Sequence, residues 1–289
     1  MSIHPGTVSQ ILWHFTGGPL WNAERNCQEK EPKPSPQAYK ALLGILKSKL
    51  VRLGSYKELV KIHFPENSRL DRATGKTRKI KERFEEMSSE PVNCLADIPA
   101  IHLGYHAQRY GRFAIGFHRK AAIKHSFNPV LYALHNTGFL QSIFDGFIRL
   151  EMIDTSVINH ATASIDSKID DVEWPKGQDV RLNITHEVVD LYAMEHLIDA
   201  AFATAKKSFS RFLAFIKTFH ESEFETIYCE REWRSVREFE FTFPEVAMIV
   251  IPKKAGRGAF FEEFVGNEAR KLKIPRSVPI VPWEDFIEH

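Results

Sequence analysis

Short apolar runs closed by glycine or proline alternate along this chain with stretches that repeat every three to four residues, and that alternation limits the fold more than any other feature. Gln10 to Thr16, QILWHFT, is apolar and aromatic and stops at Gly17-Gly18-Pro19, the pattern of a buried strand entering a turn. Ser35-Pro36 then sets an N-cap and a first-position proline before a helix through Tyr39, Leu42, Leu43, Ile45, Leu46 and Leu50, with Gly54 as its stop. A second short helix is predicted from Ser55 to His63, and a charged helix through Phe84 follows a turn at Thr74-Gly75. Val92 to Ile98 and Gly111 to Phe117 read as strands on either side of a short helix from Pro99 to Gln108. Strands and helices in this mixed order predict an α/β core.

The second half repeats the pattern with interruptions. Thr137 to Glu151 reads as a helix and Asn159 to Thr185 as a polar, loop-rich insertion. From Thr185, apolar residues at Leu191, Met194, Ile198, Phe202, Ala205, Phe209, Phe212, Ile216 and Phe219 recur at helical steps, so a long helix is predicted there, with room for a break near Ser208. Phe224 to Cys229, Trp233 to Phe243 and Val246 to Ile251 read as strands. A helix from Gly258 to Lys273 and a short strand at Val278 to Val281 close the chain.

With 289 residues, 43% of them apolar, the chain is long enough for one large domain and too apolar to be disordered. The expected organisation is a single domain over 1–289, with a loop insertion at 17–36 and a largely helical insertion at about 137–219. The first residues lack the basic start and apolar run of a secretory signal, and no stretch of about 18 apolar residues is present to span a bilayer. Three cysteines, Cys27, Cys94 and Cys229, form no CxxC pair. A reduced, cytoplasmic setting away from membranes is expected, with no metal.

The formal charge of +2 conceals a local imbalance. Between Arg69 and Arg83, seven basic residues (Arg69, Arg72, Lys76, Arg78, Lys79, Lys81, Arg83) face two acidic ones, Asp71 and Glu82, whereas Asp166, Asp170, Asp171 and Glu173 lean the other way. The basic segment suits either a phosphate backbone or a solvated surface.

Three polar groupings lie in apolar surroundings, where burial is costly unless the groups are paired or used. His14 either meets a ligand at the mouth of a pocket or is a core histidine bonded to neighbouring backbone. In YCEREWR, Glu230, Glu232 and Arg234 share one face if the segment is a strand; they suit a site that holds a sugar hydroxyl or a developing cation, or else a solvated face of Glu/Arg pairs. His102 and His106 stand at i and i+4 with Asp97 nearby, but HExxH and a third ligand at a recognisable spacing are missing. The sequence contains no GxGxxG, GxxxxGK[ST] or GxSxG, and Lys254 to Gly258, KAGRG, reads as a basic turn.

Taken in order, LWHFTGG, AYKALLGILKSKL, PVNCLADIPAIHLGYHAQRYGRFAIGFHRKAAIKHSFNPVLY, IYCEREWRSV and IPRSVPIVPWEDFIEH resemble the AbiGi-like abortive phage resistance proteins across most of the chain. The resemblance implies a bacterial anti-phage role of toxin-antitoxin type, with a cognate toxin or defence protein, a phage component or nucleic acid as partner. An aromatic-His-aromatic-Thr strand, an L..IL.S helix and a late strand carrying Glu also look like the ADP-ribosyltransferase folds of DarT toxins and RNA 2′-phosphotransferases. That likeness implies an α+β fold, with an ADP-ribosyltransferase-like split mixed/antiparallel sheet and helical insertions, and NAD as cofactor. His14, Thr16 and Arg234 would then seat NAD. Glu232, aided by Glu230, would hold the nicotinamide ribose and stabilise its oxocarbenium-like transition state, and Arg69, Arg72, Lys76, Arg78 and Lys79 would contact the target. The alternative is a non-catalytic antitoxin or phage-sensing protein of the same family.

Overall fold

A computed structural model describes residues 9–22, 24–25, 27–29, 31–70, 75–148, 200–201, 203–227, 230–256 and 258–287. The chain divides into two compact units, the first made of Met1–Val60, Ser88–Leu134 and Leu213–His289, the second of Lys61–Met87 and His135–Phe212. The stretch expected as one insertion at about 137–219 is therefore divided, because residues from Leu213 onward return to the first unit.

The first unit is built on a seven-stranded sheet ordered Asn128–Pro129, Glu232–Ser235, Asn93–Ala96, Ile11–Phe15, Ala114–His118, Val246–Ile251 and Ile280–Pro282. Every neighbouring pair is antiparallel except the last, which is parallel. The sheet is thus mixed, and apolar groups cover both faces. Leu12, Ile115 and Ile249 pack on one side with Phe117, Phe260 and Phe264, and the adjacent Trp13, Ala114 and Val250 pack on the other with Leu103 and Trp283. Burial on both faces explains why these strands read as continuous apolar runs and not as alternating ones.

Helix α1, Ser35–Ser48, follows Pro34 and presents Ala38, Tyr39, Leu42 and Leu46 to the first of these cores. It ends before Gly54, at Lys49, whose φ of 53° is left-handed. Helix α2, Leu103–Tyr110, follows a 3-10 turn and ends at Gly111, with Leu103 and His106 buried. The ladder between the first strand and Ala114–His118 is complete, from Ile11 opposite His118 to Phe15 opposite Ala114. On its other edge the first strand meets Asn93–Ala96 only at Trp13 opposite Ala96. Beyond that pair no ladder closes the space between the two strands.

Five expected elements differ. Trp233 to Phe243 is not one strand: Glu232–Ser235 lies in the seven-stranded sheet, and Phe239–Glu240 pairs instead with Leu50–Val51. Ser55 to His63 is not helical: Lys57–Phe64 is a strand, with Glu58, Val60 and Ile62 buried at every second position. The charged helix through Phe84 is replaced by an antiparallel hairpin of Asn67–Leu70 with Thr77–Ile80 and by the strand Arg83–Pro91. The helix predicted to reach Phe219 ends by residue 213, without a break at Ser208, and Ile216–Phe219 is a strand lying parallel to Leu131–Leu134. All four residues of that strand are buried, so no face pattern marked it as a strand. Phe224 to Cys229 is turn over residues 224–227; Tyr228 and Cys229 lie outside the described residues, as do Asn159 to Thr185 and the start of the long helix. Among the described residues no helix is long and apolar enough to cross a membrane.

Candidate functional site

The gap beside the first strand opens into a cavity of about 290 Å³ lined by His14, Thr16, Cys94, His106, Tyr110, Lys217, Glu230 and Glu232, among others. Strand alternation turns His14 away from its buried neighbour Trp13, whose indole N–H donates to the Ile98 carbonyl at 3.1 Å. His14 Nδ1 lies 3.2 Å from the Cys94 carbonyl oxygen. Burial lowers the His14 pKa more than that contact raises it, so the ring is neutral at pH 7. Thr16 also lines the cavity, but its hydroxyl donates to the Ala38 carbonyl of α1 at 2.8 Å, which ties the strand to the helix.

Glu232 opens its strand, one strand beyond Asn93–Ala96, and its backbone N–H donates to the Tyr132 hydroxyl at 2.8 Å. Its Oε2 accepts from Arg234 Nη2 at 2.8 Å and lies 3.3 Å from Lys217 Nζ. Glu230 does not continue the strand. Arg231 between them has φ 43°, a left-handed conformation costly for a side chain with a Cβ, and it turns the backbone so that both carboxylates reach Lys217, at 3.3 Å each. Asp97 holds the turn: its N–H donates to the Arg231 carbonyl at 3.0 Å, and its carboxylate pairs with Arg231 and Arg119 at 3.3 Å each.

Around these lies a buried ion cluster. Glu58 pairs with Arg234 at 2.5 Å, accepts from the Tyr56 hydroxyl at 2.8 Å and lies 3.9 Å from Lys217. Glu230 accepts from the Tyr110 hydroxyl at 3.0 Å and meets Arg109 at 3.5 Å. Burial opposes charge on Lys217, yet Glu232, Tyr56, Glu230 and Glu58 hold its pKa well above the ordinary lysine range. Burial likewise opposes ionisation of Glu232, and Arg234 and Lys217 outweigh it, holding the carboxyl well below the usual carboxylate range. Burial and Glu232 push the Cys94 thiol well up, so it is protonated at pH 7 and poorly suited to act as a nucleophile.

The structure thus brings His14, Thr16, Glu230 and Glu232 to one cavity. Arg234, expected beside a cofactor, is not among its lining residues; it has no exposed surface and is engaged by Glu58, Glu232 and the carbonyls of Ala214 and Ile216. It holds Glu232 in place. Of the basic segment, Lys76, Arg78 and Lys79 are exposed on or beside the hairpin, and Lys79 pairs loosely with Glu66 at 3.8 Å. The side chain of Arg69 and all of Arg72 lie outside what is described. Among the described residues no group of three or more His, Cys, Asp or Glu is placed to hold a metal. His106 stacks instead on Tyr110, with ring centroids 4.3 Å apart, and packs against Phe15.

Sequence reasoning missed Lys217, Glu58, Tyr56, Tyr110 and Tyr132. The one available signal was a lone lysine inside the apolar run FIKTF, which the predicted helix through Phe219 left without a role.

Comparison with known proteins places this chain in a family. The family model for "putative abortive phage resistance protein AbiGi, antitoxin" matches residues 57–274, about three quarters of the chain. The chain belongs to the AbiGi family. An abortive phage resistance protein AbiGi of Lactococcus lactis subsp. cremoris is 21% identical over 183 residues, 62% of this chain and 61% of that protein. No solved structure matches. The AbiGi match includes Glu58, Lys217, Glu230, Glu232 and Arg234, whereas His14 and Thr16 precede it.

Proposed function

We propose that this AbiGi chain acts in abortive phage defence and that its cavity binds NAD and transfers ADP-ribose to a target. The observation that carries the reading is that His14 and Glu232, two strands apart in the sheet, line the same cavity. The donor set suits such a ligand: Phe15, His106 and Tyr110 offer aromatic surface to a flat cationic ring, and Glu230 and Glu232 offer carboxylates to its ribose.

Bound NAD supplies a glycosidic bond whose cleavage releases nicotinamide with the bonding electron pair. Neutral His14 orients the ribose by hydrogen bonding. Both ion pairs of Glu232 fall on Oε2, and in this reading Oε1 accepts a ribose hydroxyl while the fixed negative charge stabilises positive charge at the sugar. Lys217 and Arg234 keep that carboxylate ionised and still. A target hydroxyl or carboxylate would complete the transfer, a hydroxyl losing its proton to solvent.

A second reading, a non-catalytic antitoxin that binds a cognate toxin, draws on the neutralisation of Glu232 by Lys217 and Arg234 and on the family's description as an antitoxin. Nicotinamide release from NAD by purified protein separates the two. The transferase reading expects release that falls at least a hundredfold in Glu232→Gln and tenfold or more in His14→Ala. Release that is absent from the wild type leaves the antitoxin reading standing, and release that is equal in all three proteins removes His14 and Glu232 from the site.

A further inference from the structure

Lys33 lines the cavity of His14 and Glu232 and also a second cavity, of about 370 Å³, whose other walls include Ser35, Gly111, Arg112, Lys254 and Gly256. Among the described residues, three cations border that second space, Lys33, Arg112 and Lys254, and no acidic residue does. Like charges gathered around one void repel each other, and an entering anion converts that repulsion into attraction.

Local structure keeps the cations there. The Lys33 backbone N–H donates to the Gly17 carbonyl at 2.9 Å, and its ammonium donates to the Thr16 carbonyl at 3.4 Å, so the residue is held at the exit of the first strand. Gly17 fits so closely against the end of α2 that a Cβ there would lie 2.7 Å from the Tyr110 carbonyl oxygen and 3.2 Å from Gly111 Cα. Gly111 has φ 76°, and the chain leaves it directly into Arg112. Across the space, Ala255 and Gly258 exchange backbone hydrogen bonds at 3.1 and 3.3 Å, closing the KAGRG turn next to Lys254. Half-burial lowers the Lys33 pKa, a cost that an anion beside it would offset. Arg112 and Lys254 are exposed, so both can reach a ligand that enters from solvent.

We propose that this second cavity binds the phosphate groups of a nucleotide, with Arg112 and Lys254 as their anchors and Lys33 linking them to the first cavity. The assignment deepens the NAD reading, on which the nucleotide identity rests. Arginine offers phosphate a planar pair of donors and lysine a point charge, so the set recognises a di- or pyrophosphate without a glycine-rich loop.

Calorimetric titration of the full chain tests it with four probes: inorganic pyrophosphate, ADP-ribose, adenosine and a short single-stranded oligonucleotide. The expected result is binding of pyrophosphate and ADP-ribose, with adenosine at least tenfold weaker than ADP-ribose. Arg112→Ala/Lys254→Ala and Lys33→Met should each weaken both phosphate ligands tenfold or more and leave adenosine unchanged. Absence of pyrophosphate binding overturns the proposal, as does binding that is equal in wild type and variants. Oligonucleotide binding that depends on these residues while ADP-ribose binding does not would move the site to a nucleic-acid backbone and overturn the nucleotide assignment. Pyrophosphate and ADP-ribose binding at this cavity with no release of nicotinamide supports the proposal and sinks only the transferase step.

Discussion

At the scale of single residues, the site is organised by charges that the fold can bury only because they meet. Lys217, Arg234, Glu58, Glu230 and Glu232 are all nearly or fully buried, and each has an opposite charge within 4 Å. Such clusters add little net stability compared with apolar packing, so positioning of the Glu232 carboxylate is the gain to be expected from this one. His106 makes the molecule sensitive to acid. Burial, reinforced by Arg109 and Lys217 against the pull of Glu232, pushes its pKa down from 6.5 to about 4. The folded state therefore holds the ring neutral while the unfolded chain takes up a proton below 6.5. Its contribution is complete above that pH and is lost as pH falls from 6.5 toward 4, about 3 kcal/mol in all. Urea denaturation at steps between pH 7 and 4 should show this slope, and His106→Phe, which keeps the contacts with Phe15 and Tyr110 without titrating, should flatten it. An equal slope in the variant would assign the acid sensitivity to other groups.

At the scale of elements, the first strand decides where the site opens. Its full ladder with Ala114–His118 and its single pair with Asn93–Ala96 leave one side closed and the other open. Gly116 fixes the closed side: a Cβ there would lie 2.7 Å from Ile11 Cγ2 and 2.9 Å from the Trp13 ring. Gly116→Ala is expected to cost about 1–3 kcal/mol through overpacking, read as a lower denaturation midpoint. Ligand affinity should fall with it, because Trp13 and His14 share a backbone. The strands Ile11–Phe15, Asn93–Ala96, Ala114–His118, Val246–Ile251 and Ile280–Pro282 were legible in the sequence because short apolar runs of this kind have few alternatives at such lengths. Lys57–Phe64 was missed although its burial alternates strictly at Glu58, Val60 and Ile62, since a glutamate on the buried face hides the period from any reading that counts only apolar residues. Ile216–Phe219 was missed for the opposite reason, as a strand buried at every position extends a helical apolar pattern without a seam.

At the scale of the whole molecule, the chain leaves the first unit twice, at Lys61–Met87 and at His135–Phe212. The second excursion joins the parallel strands Leu131–Leu134 and Ile216–Phe219, and a parallel pair needs a crossover of about a dozen residues or more. Replacing residues 137–211 by a flexible linker of about 14 residues should therefore leave the first unit cooperatively folded in thermal denaturation. A two-residue linker in place of residues 135–215 should not, since it cannot carry the chain back along the first strand to the start of the second. Loss of cooperative melting with both linkers would show that the first unit depends on the second. By itself the sequence determined the apolar strands, helices α1 and α2, His14 and the Glu230 to Arg234 segment, because these are written in local periodicity and in residue types that are costly to bury without purpose. Only the tertiary structure decided that Lys217 and Glu58, distant in sequence from Glu232, complete its ion cluster, that Arg234 is a support and not a ligand contact, and that Lys33 stands between two cavities. Charge pairing and cavity walls are set by which strands become neighbours, and strand order is a long-range property that no local pattern encodes.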